Sequence, residues 1–251
     1  MAYEHALSPV LLAIGPVEIR WYGLMWALGF LIVYWYVRKA AREGLIRLTD
    51  DDADWLMVWL VIGTLLGARF FEVFVWEWQY YAAHPGEIIA IWHGGLSFHG
   101  GLVGSLIAGY WFSRRRKIPF LNLCDVCFVP VTLGLMLGRI GNFINGELWG
   151  RLTDVPWAVK FPGADGYRHP SQLYEAGYSL VLFGILWNLR KNKWPHGSIF
   201  AIFLVLYAVF RFMTEYFREP TAMIGPLTLG QALNIPMLIA GIALWYWVRR
   251  R

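Results

Sequence analysis

The chain has 251 residues, 58% apolar and 18% aromatic with only 16% charged, where a soluble domain of this length would be about 25% charged. That composition reads as an integral membrane protein and excludes disordered, collagen-like and disulfide-stapled classes. The net charge of +5 would suggest nucleic acid in a soluble chain, but here the basic residues lie in short runs between apolar stretches. That placement points to orientation in a bilayer, with no nucleic-acid partner.

The amino terminus, Met1-Ala2-Tyr3-Glu4-His5-Ala6, lacks the basic start of a cleaved signal peptide. Long apolar runs bounded by charge predict seven membrane-spanning helices at 20–37, 55–75, 94–112, 126–145, 174–189, 197–216 and 229–248. Connections after the odd-numbered helices hold fourteen Lys and Arg, from Arg38 to Arg251, and the opposite side holds five, namely Arg20, Arg151, Lys160, Arg168 and Arg218. The positive-inside rule then places the carboxyl terminus in the cytoplasm and the amino terminus outside. One connection, 146–173, carries Trp149, Trp157, Pro156, Pro162 and Pro170 and is expected to fold as a small outward-facing cap on a single polytopic domain, 1–251. Cys124 and Cys127 form a CxxC pair. No thioredoxin-like pattern surrounds them, and with no His in the same stretch they make a poor zinc site, so they read as inert helix residues.

Three arginines, Arg69, Arg139 and Arg211, fall inside predicted spans, where each costs about 2.5–3.5 kcal/mol to insert. At about 1.5 Å per residue, all three lie about 20 Å from the inner boundary of a core about 30 Å thick. His99 and Tyr22 reach the same layer from the third and first helices respectively, at the depth of outer-leaflet lipid headgroups. Arg139, Asn142 and Asn145 are three apart and share a helix face, with Gly134, Gly138 and Gly141 beside them. A small-residue packing seam would explain the glycines but not a cation with two amides. Tyr207, Arg211 and Glu215, spaced by four, line another face, either as a structural ion pair or as part of a phosphate site in which two guanidiniums share an anion. Arg69 has Glu72 one turn on and reads as a self-contained structural pair.

The glycine-rich run from His93 to Gly104 holds His99, either a buried hydrogen-bonding histidine or a base suited to neutral pH. The residues alone thus describe a cationic pocket at headgroup depth. It would serve an enzyme acting on an anionic phospholipid, or a protein that binds or moves one, such as a transporter or flippase. The inner halves of the predicted spans hold no polar route to the other leaflet, which weighs against transport.

The run Gly138-Arg139-Ile140-Gly141-Asn142-Phe143-Ile144-Asn145-Gly146-Glu147 followed by Gly150-Arg151, together with Gly94-Gly95-Leu96-Ser97-Phe98-His99-Gly100-Gly101, closely resembles the bacterial phosphatidylglycerol–prolipoprotein diacylglyceryl transferases. Arg20-Trp21-Tyr22-Gly23, His169-Pro170-Ser171-Gln172-Leu173-Tyr174-Glu175 and the stretch from Tyr207 to Phe217-Arg218-Glu219-Pro220 extend the resemblance in family order. It implies an all-α integral membrane enzyme of seven transmembrane helices in the bacterial inner membrane. The amino terminus and the cap between helices 4 and 5 would be periplasmic, with the active site towards that leaflet. It also implies transfer of the diacylglyceryl group of phosphatidylglycerol to the thiol of the lipobox cysteine behind a preprolipoprotein signal peptide, releasing glycerol 1-phosphate without a metal or cofactor. The implied catalytic residues are Arg139, Arg211, His99 and Tyr207. Tyr22, Asn142, Glu147, Glu215 and Gly150, with both arginines, are the implied substrate-binding residues.

Overall fold

The computed structural model describes residues 3–15 and 17–250. In chain order its elements are β1 (Tyr3–Glu4), β2 (Val10–Ile14), β3 (Val17–Arg20), α1 (Trp21–Arg42), α2 (Asp50–Phe71), α3 (Trp78–Ala83), α4 (Phe98–Arg115), α5 (Phe120–Asn145), β4 (Val159–Lys160), α6 (Ser171–Leu189), α7 (Ser198–Thr214), β5 (Met223–Ile224), β6 (Leu227–Thr228) and α8 (Leu229–Arg249). The seven long helices fall where the apolar runs predict them. Among the described residues four stretches, Asp50–Trp76, Phe120–Asn145, Ser198–Phe217 and Leu229–Arg249, are long and apolar enough to cross a membrane. The protein is mostly helical, and three two-stranded ribbons, β1–β4, β2–β3 and β5–β6, add what hydropathy does not reveal.

The helix boundaries have local causes. Thr49 caps α2 in a reciprocal box with Asp52, and Thr228 caps α8 in another with Gln231, each satisfying backbone donors that the first turn leaves open. The predicted start of the third span at 94 is corrected to Phe98, because Gly94 and Gly95 adopt positive φ of 90° and 70°, outside helical space. Ser97 then caps α4 by accepting from Gly100 N. His99 therefore lies in the first turn of its helix rather than a turn and a half inside it.

The chain divides into two compact units, Val37–Leu123 and Met1–Tyr36 with Cys124–Arg251. In the first, α2 and α4 interlock through glycines. A Cβ on Gly63 would lie 2.7 Å from Gly104 O, and one on Gly67 would lie 2.8 Å from Gly104 Cα and closer still to the Gly100 carbonyl. Such contact is open only to residues without side chains. Arg69, in the last turn of α2, is buried. Its guanidinium donates to the carbonyls of Ile88 (2.9 Å), Gly94 (2.8 Å), Gly95 (2.7 Å), Glu87 and Ala90 and lies 4.9 Å from the Tyr81 ring centroid. Among the described residues no ion pair joins it to Glu72, so the self-contained pair expected from spacing is replaced by a carbonyl cage that gathers the 87–95 loop. The cation's structural role stands.

α5 begins at Phe120, six residues before the predicted span, which brings Asp125, a residue of the other unit, inside the helix. Its carboxylate accepts from Gly197 N at 2.6 Å and Phe200 N at 2.8 Å, capping α7, whose own N-cap residue is a glycine with no side chain to offer. Cys124 and Cys127 flank this aspartate unbridged. Asp125→Ala is expected to lower stability by about 1–3 kcal/mol, the cost of stranding such donors. Thermal unfolding in detergent checks this, with Asp125→Asn recovering part of the loss through its remaining acceptor.

Candidate active site

The site grows from the end of α5. Gly146, at φ 68°, ends the helix in the left-handed conformation that favours glycine and turns the chain back, so that Glu147 folds beneath the last turn. Glu147 Oε1 accepts from Asn142 Nδ2 at 2.7 Å and Asn145 Nδ2 at 3.3 Å. Asn142 Oδ1 in turn accepts from Arg139 at 3.3 Å. The face predicted by three-residue spacing is therefore formed, and Glu147 belongs to it. Tyr22 of α1 packs against α5 at Gly141, which leaves room: a Cβ there would lie 3.0 Å from the Tyr22 ring.

Facing this end, α6 presents a buried polar stripe of Gln172, Glu175 and Ser179, a helical spacing that puts all three on one side. Gln172 Nε2 donates to the Glu147 carbonyl at 2.7 Å. Glu175 has a fully buried side chain and is the centre of the site. Its Oε2 lies 3.0 Å from Arg139 Nε and 3.9 Å from Arg211 Nε, and accepts from the Tyr178 hydroxyl at 3.4 Å. Its Oε1 accepts from Arg218.

Arg211 donates to Glu215 one turn later, and Arg218 Nε lies 3.6 Å from the same Glu215 oxygen. The other Glu215 oxygen accepts from Thr228 Oγ1 at 3.0 Å, so the hydroxyl that caps α8 also anchors the cluster. Gly230 is required beside it, since a Cβ there would overlap the Glu215 carboxylate.

The result is a ring closed by Arg211, Arg218 and the two carboxylates, with a third guanidinium, Arg139, joined to it at Glu175. Within it Arg211 and Arg218 each meet both glutamates, whereas Arg139 meets only Glu175. Side-chain exposure follows the same order, 24% for Arg139 against 14% and 10% for Arg211 and Arg218. Arg139 is thus the most exposed of the three guanidiniums and the one held by a single carboxylate, rather than one of two equivalent holders. Tyr207, one turn before Arg211, stands edge-on to Tyr178, with centroids 6.0 Å apart.

Residues 146–170, between α5 and α6, are tied into the unit by backbone bridges. Gly150 bridges Arg218, and Leu152 and Val159 bridge Arg168, while β1 runs parallel to β4. Gly150 is buried in a backbone crossing, where a Cβ would collide with the Phe217 carbonyl and sit 2.7 Å from His169 Cβ. Arg168 pairs with Glu219 at 2.8 Å, and Arg151 Nε donates to the Arg218 carbonyl at 2.9 Å. His169 Nδ1 is 3.0 Å from the Tyr174 hydroxyl, and burial holds its imidazole below the usual histidine range. His99 belongs to the other unit, exposed at the start of α4, with its ring 6.4 Å from Trp76 and 5.9 Å from Phe98.

The model of the prolipoprotein diacylglyceryl transferases matches residues 9–247. The chain belongs to the prolipoprotein diacylglyceryl transferase family. Among relatives named phosphatidylglycerol–prolipoprotein diacylglyceryl transferase, that of Geobacter sulfurreducens is 46% identical over 100% of this chain and 98% of its own. That of Desulfotalea psychrophila is 42% identical over 96% and 93%, and that of Pseudoalteromonas atlantica 44% over 98% and 90%.

In this family member the site thus includes residues that the sequence reading did not single out for chemistry: Glu175, Arg218, Tyr178, Thr228 and Gly230. Glu175 and Arg218 stand in stretches that carry the resemblance. The three- and four-residue spacing of Gln172, Glu175 and Ser179 was the signal that could have found the first. Arg218, three residues after Glu215, continues the spacing of Tyr207, Arg211 and Glu215 but lies beyond the helix end.

Proposed function

We propose that the chain transfers the diacylglyceryl group of phosphatidylglycerol to the lipobox cysteine thiol of a prolipoprotein and releases glycerol 1-phosphate. The observation that carries this reading is an arginine ring with one positive charge in excess, in a chain that matches diacylglyceryl transferases from end to end. A flippase reading is not favoured, since the relatives bear the enzyme's name.

The reading places all seven long helices across the bacterial inner membrane as one polytopic domain, amino terminus periplasmic and carboxyl terminus cytoplasmic, with the 146–173 cap over the site. The phosphodiester docks on Arg139, with Arg211 behind it and Asn142, Tyr22 and Glu147 lining the approach. The thiol, with an ordinary pKa near about 8.5, loses its proton to His99 or through the Tyr207 hydroxyl. Sulfur attacks the glycerol carbon, the C–O bond to phosphate breaks, and the electron pair leaves on a phosphate oxygen whose growing charge Arg139 stabilises.

The test incubates purified protein with phosphatidylglycerol and a synthetic lipobox peptide. The expected result is a diacylglyceryl mass gain on the peptide with release of glycerol phosphate, lost when the peptide's cysteine is serine. No gain from folded, lipid-binding protein sinks the reading. Near-normal turnover in His99→Gln removes that histidine as an obligatory base and leaves the Tyr207 route.

A further inference from the structure

Beyond α2 the chain does not leave the helix at once. Over Glu72–Trp76 it forms a π-helical turn, closed by Glu77 N donating to the Glu72 carbonyl at 2.9 Å, five residues apart. Single π turns are rare and frequently stand at functional sites. This one ends on Trp76, whose indole Nε1 donates to Ser97 Oγ at 3.0 Å.

Ser97 is the N-cap of α4, and the α2 side of the unit holds it through both backbone and side chain. Its Oγ accepts from Trp76 and, at 3.3 Å, from Gly100 N, while its own backbone N donates to the Ala68 carbonyl at 3.1 Å. The chain leading into it is fixed from the same helix, since Arg69 donates to the Gly94 and Gly95 carbonyls.

His99 stands two residues further on. Among the described residues no hydrogen bond orients its ring, and its ring neighbours are Trp76 at 6.4 Å and Phe98 at 5.9 Å. A base takes a proton efficiently only when it is aimed, and a third group commonly aims it through a hydrogen bond. Here that task falls to the placement of the first turn of α4 and to the indole beside the imidazole.

On the proposed reaction, which this inference rests on, His99 takes the thiol proton. We propose that Trp76 is a positioning residue for His99. By holding the Ser97 hydroxyl it fixes the turn from which the imidazole projects, and its ring restricts the directions that the imidazole takes.

The experiment uses the full chain in detergent with phosphatidylglycerol and a synthetic lipobox peptide. It compares Trp76→Phe, which removes the N–H, with Trp78→Phe, a change at a neighbouring exposed tryptophan that stacks on Phe74. Trp76→Phe should lower kcat about tenfold, within the roughly hundredfold that an ångström of misplacement costs, and leave KM for the lipid unchanged. Trp78→Phe should turn over like the wild type. In a His99→Gln background Trp76→Phe should cost nothing more, because two changes that act through one group do not add. A structural role alone would lower both backgrounds by the same factor.

Amide exchange reads the same role without turnover, and with the kcat and KM split it decides where His99→Gln is too slow to assay. The Gly100 and Gly101 amides are bonded to Ser97 Oγ and to the Ser97 carbonyl. In Trp76→Phe they should exchange about fivefold faster, the worth of one net hydrogen bond, while the interior of α4 keeps its wild-type rates. Ser97→Gly, which still starts a helix but has no hydroxyl, should loosen the same turn, and adding Trp76→Phe to it should change nothing further.

Unchanged kcat in Trp76→Phe, equal losses with and without His99, or wild-type exchange at Gly100 and Gly101 each overturns the proposal. Wild-type protein that transfers lipid while Trp76→Phe matches it loses only this role for Trp76. Near-normal turnover in His99→Gln removes the role together with the base but leaves the transferase reading, which falls only when folded wild-type protein transfers no lipid.

Discussion

Arg139→Ala is expected to lower kcat/KM for transfer from phosphatidylglycerol by about 10²- to 10³-fold, the usual effect of removing one preorganised donor from a developing anion. The protein should still fold. Glu175 keeps Arg211 and Arg218 as partners, so the buried carboxylate is not stranded, and stranding is what makes breaking a buried pair cost about 3–5 kcal/mol. Arg139→Lys should restore little, because one ammonium cannot satisfy Glu175, Asn142 and a phosphate oxygen in the directions that a planar fork spans. The check is a steady-state transfer assay with a lipobox peptide, paired with thermal unfolding. A variant that unfolds at the wild-type temperature and retains more than about a tenth of the wild-type rate would displace Arg139 from the reaction's centre, since even the weaker end of the expected range is a hundredfold loss.

The second large effect lies away from the chemistry. Gly67→Ala places a methyl group 2.8 Å from Gly104 Cα and nearer still to the Gly100 carbonyl, and neither backbone can move without parting α2 from α4. Alanine gains about 1 kcal/mol over glycine inside a helix, but forced overpacking costs about 1–3 kcal/mol, occasionally more, and here the clash is with main chain. The net expectation is a loss of about 2 kcal/mol, the upper end of that overpacking cost less the helix gain. Gly184→Ala on α6, where a Cβ meets nothing within 4 Å, serves as the opposite control and should be neutral or stabilising. Comparative unfolding of the two variants in one detergent reads both signs.

The large-scale architecture was legible because length and hydropathy determine which segments become long helices, and each of the seven appears at its expected place. Boundaries were less so. The start of α4 depends on two glycines in non-helical conformations, and the start of α5 on Asp125 serving another helix, a relation with no footprint in local hydropathy. At the site, Arg139, Asn142, Arg211 and Glu215 could be found because helical spacing aligns them, and Glu147 only through the family resemblance. Glu175 escaped notice since a lone carboxylate in an apolar helix gives no sign of which cations will reach it. Arg218 escaped because it looked like a loop charge, and only the turn after α7 brings it back onto Glu175. The partners of Arg69 differ from the expected one: carbonyl oxygens have no sequence signature, whereas Glu72 stood conspicuously one turn away.

The crossing of Gly150 with Arg218 bears on how this protein can be recombined with its relatives. The 146–173 connection has the look of an exchangeable module, bounded by two helices and rich in turn residues. Yet Arg151 donates to the Arg218 carbonyl and to none of its own loop, Arg168 pairs with Glu219, and Gly150 leaves room for the Phe217 carbonyl. Two stretches far apart in the chain are therefore one graft. A chimera that exchanges the connection alone would misplace the arginine that holds Glu175, whereas one that carries 215–219 with it moves an intact unit.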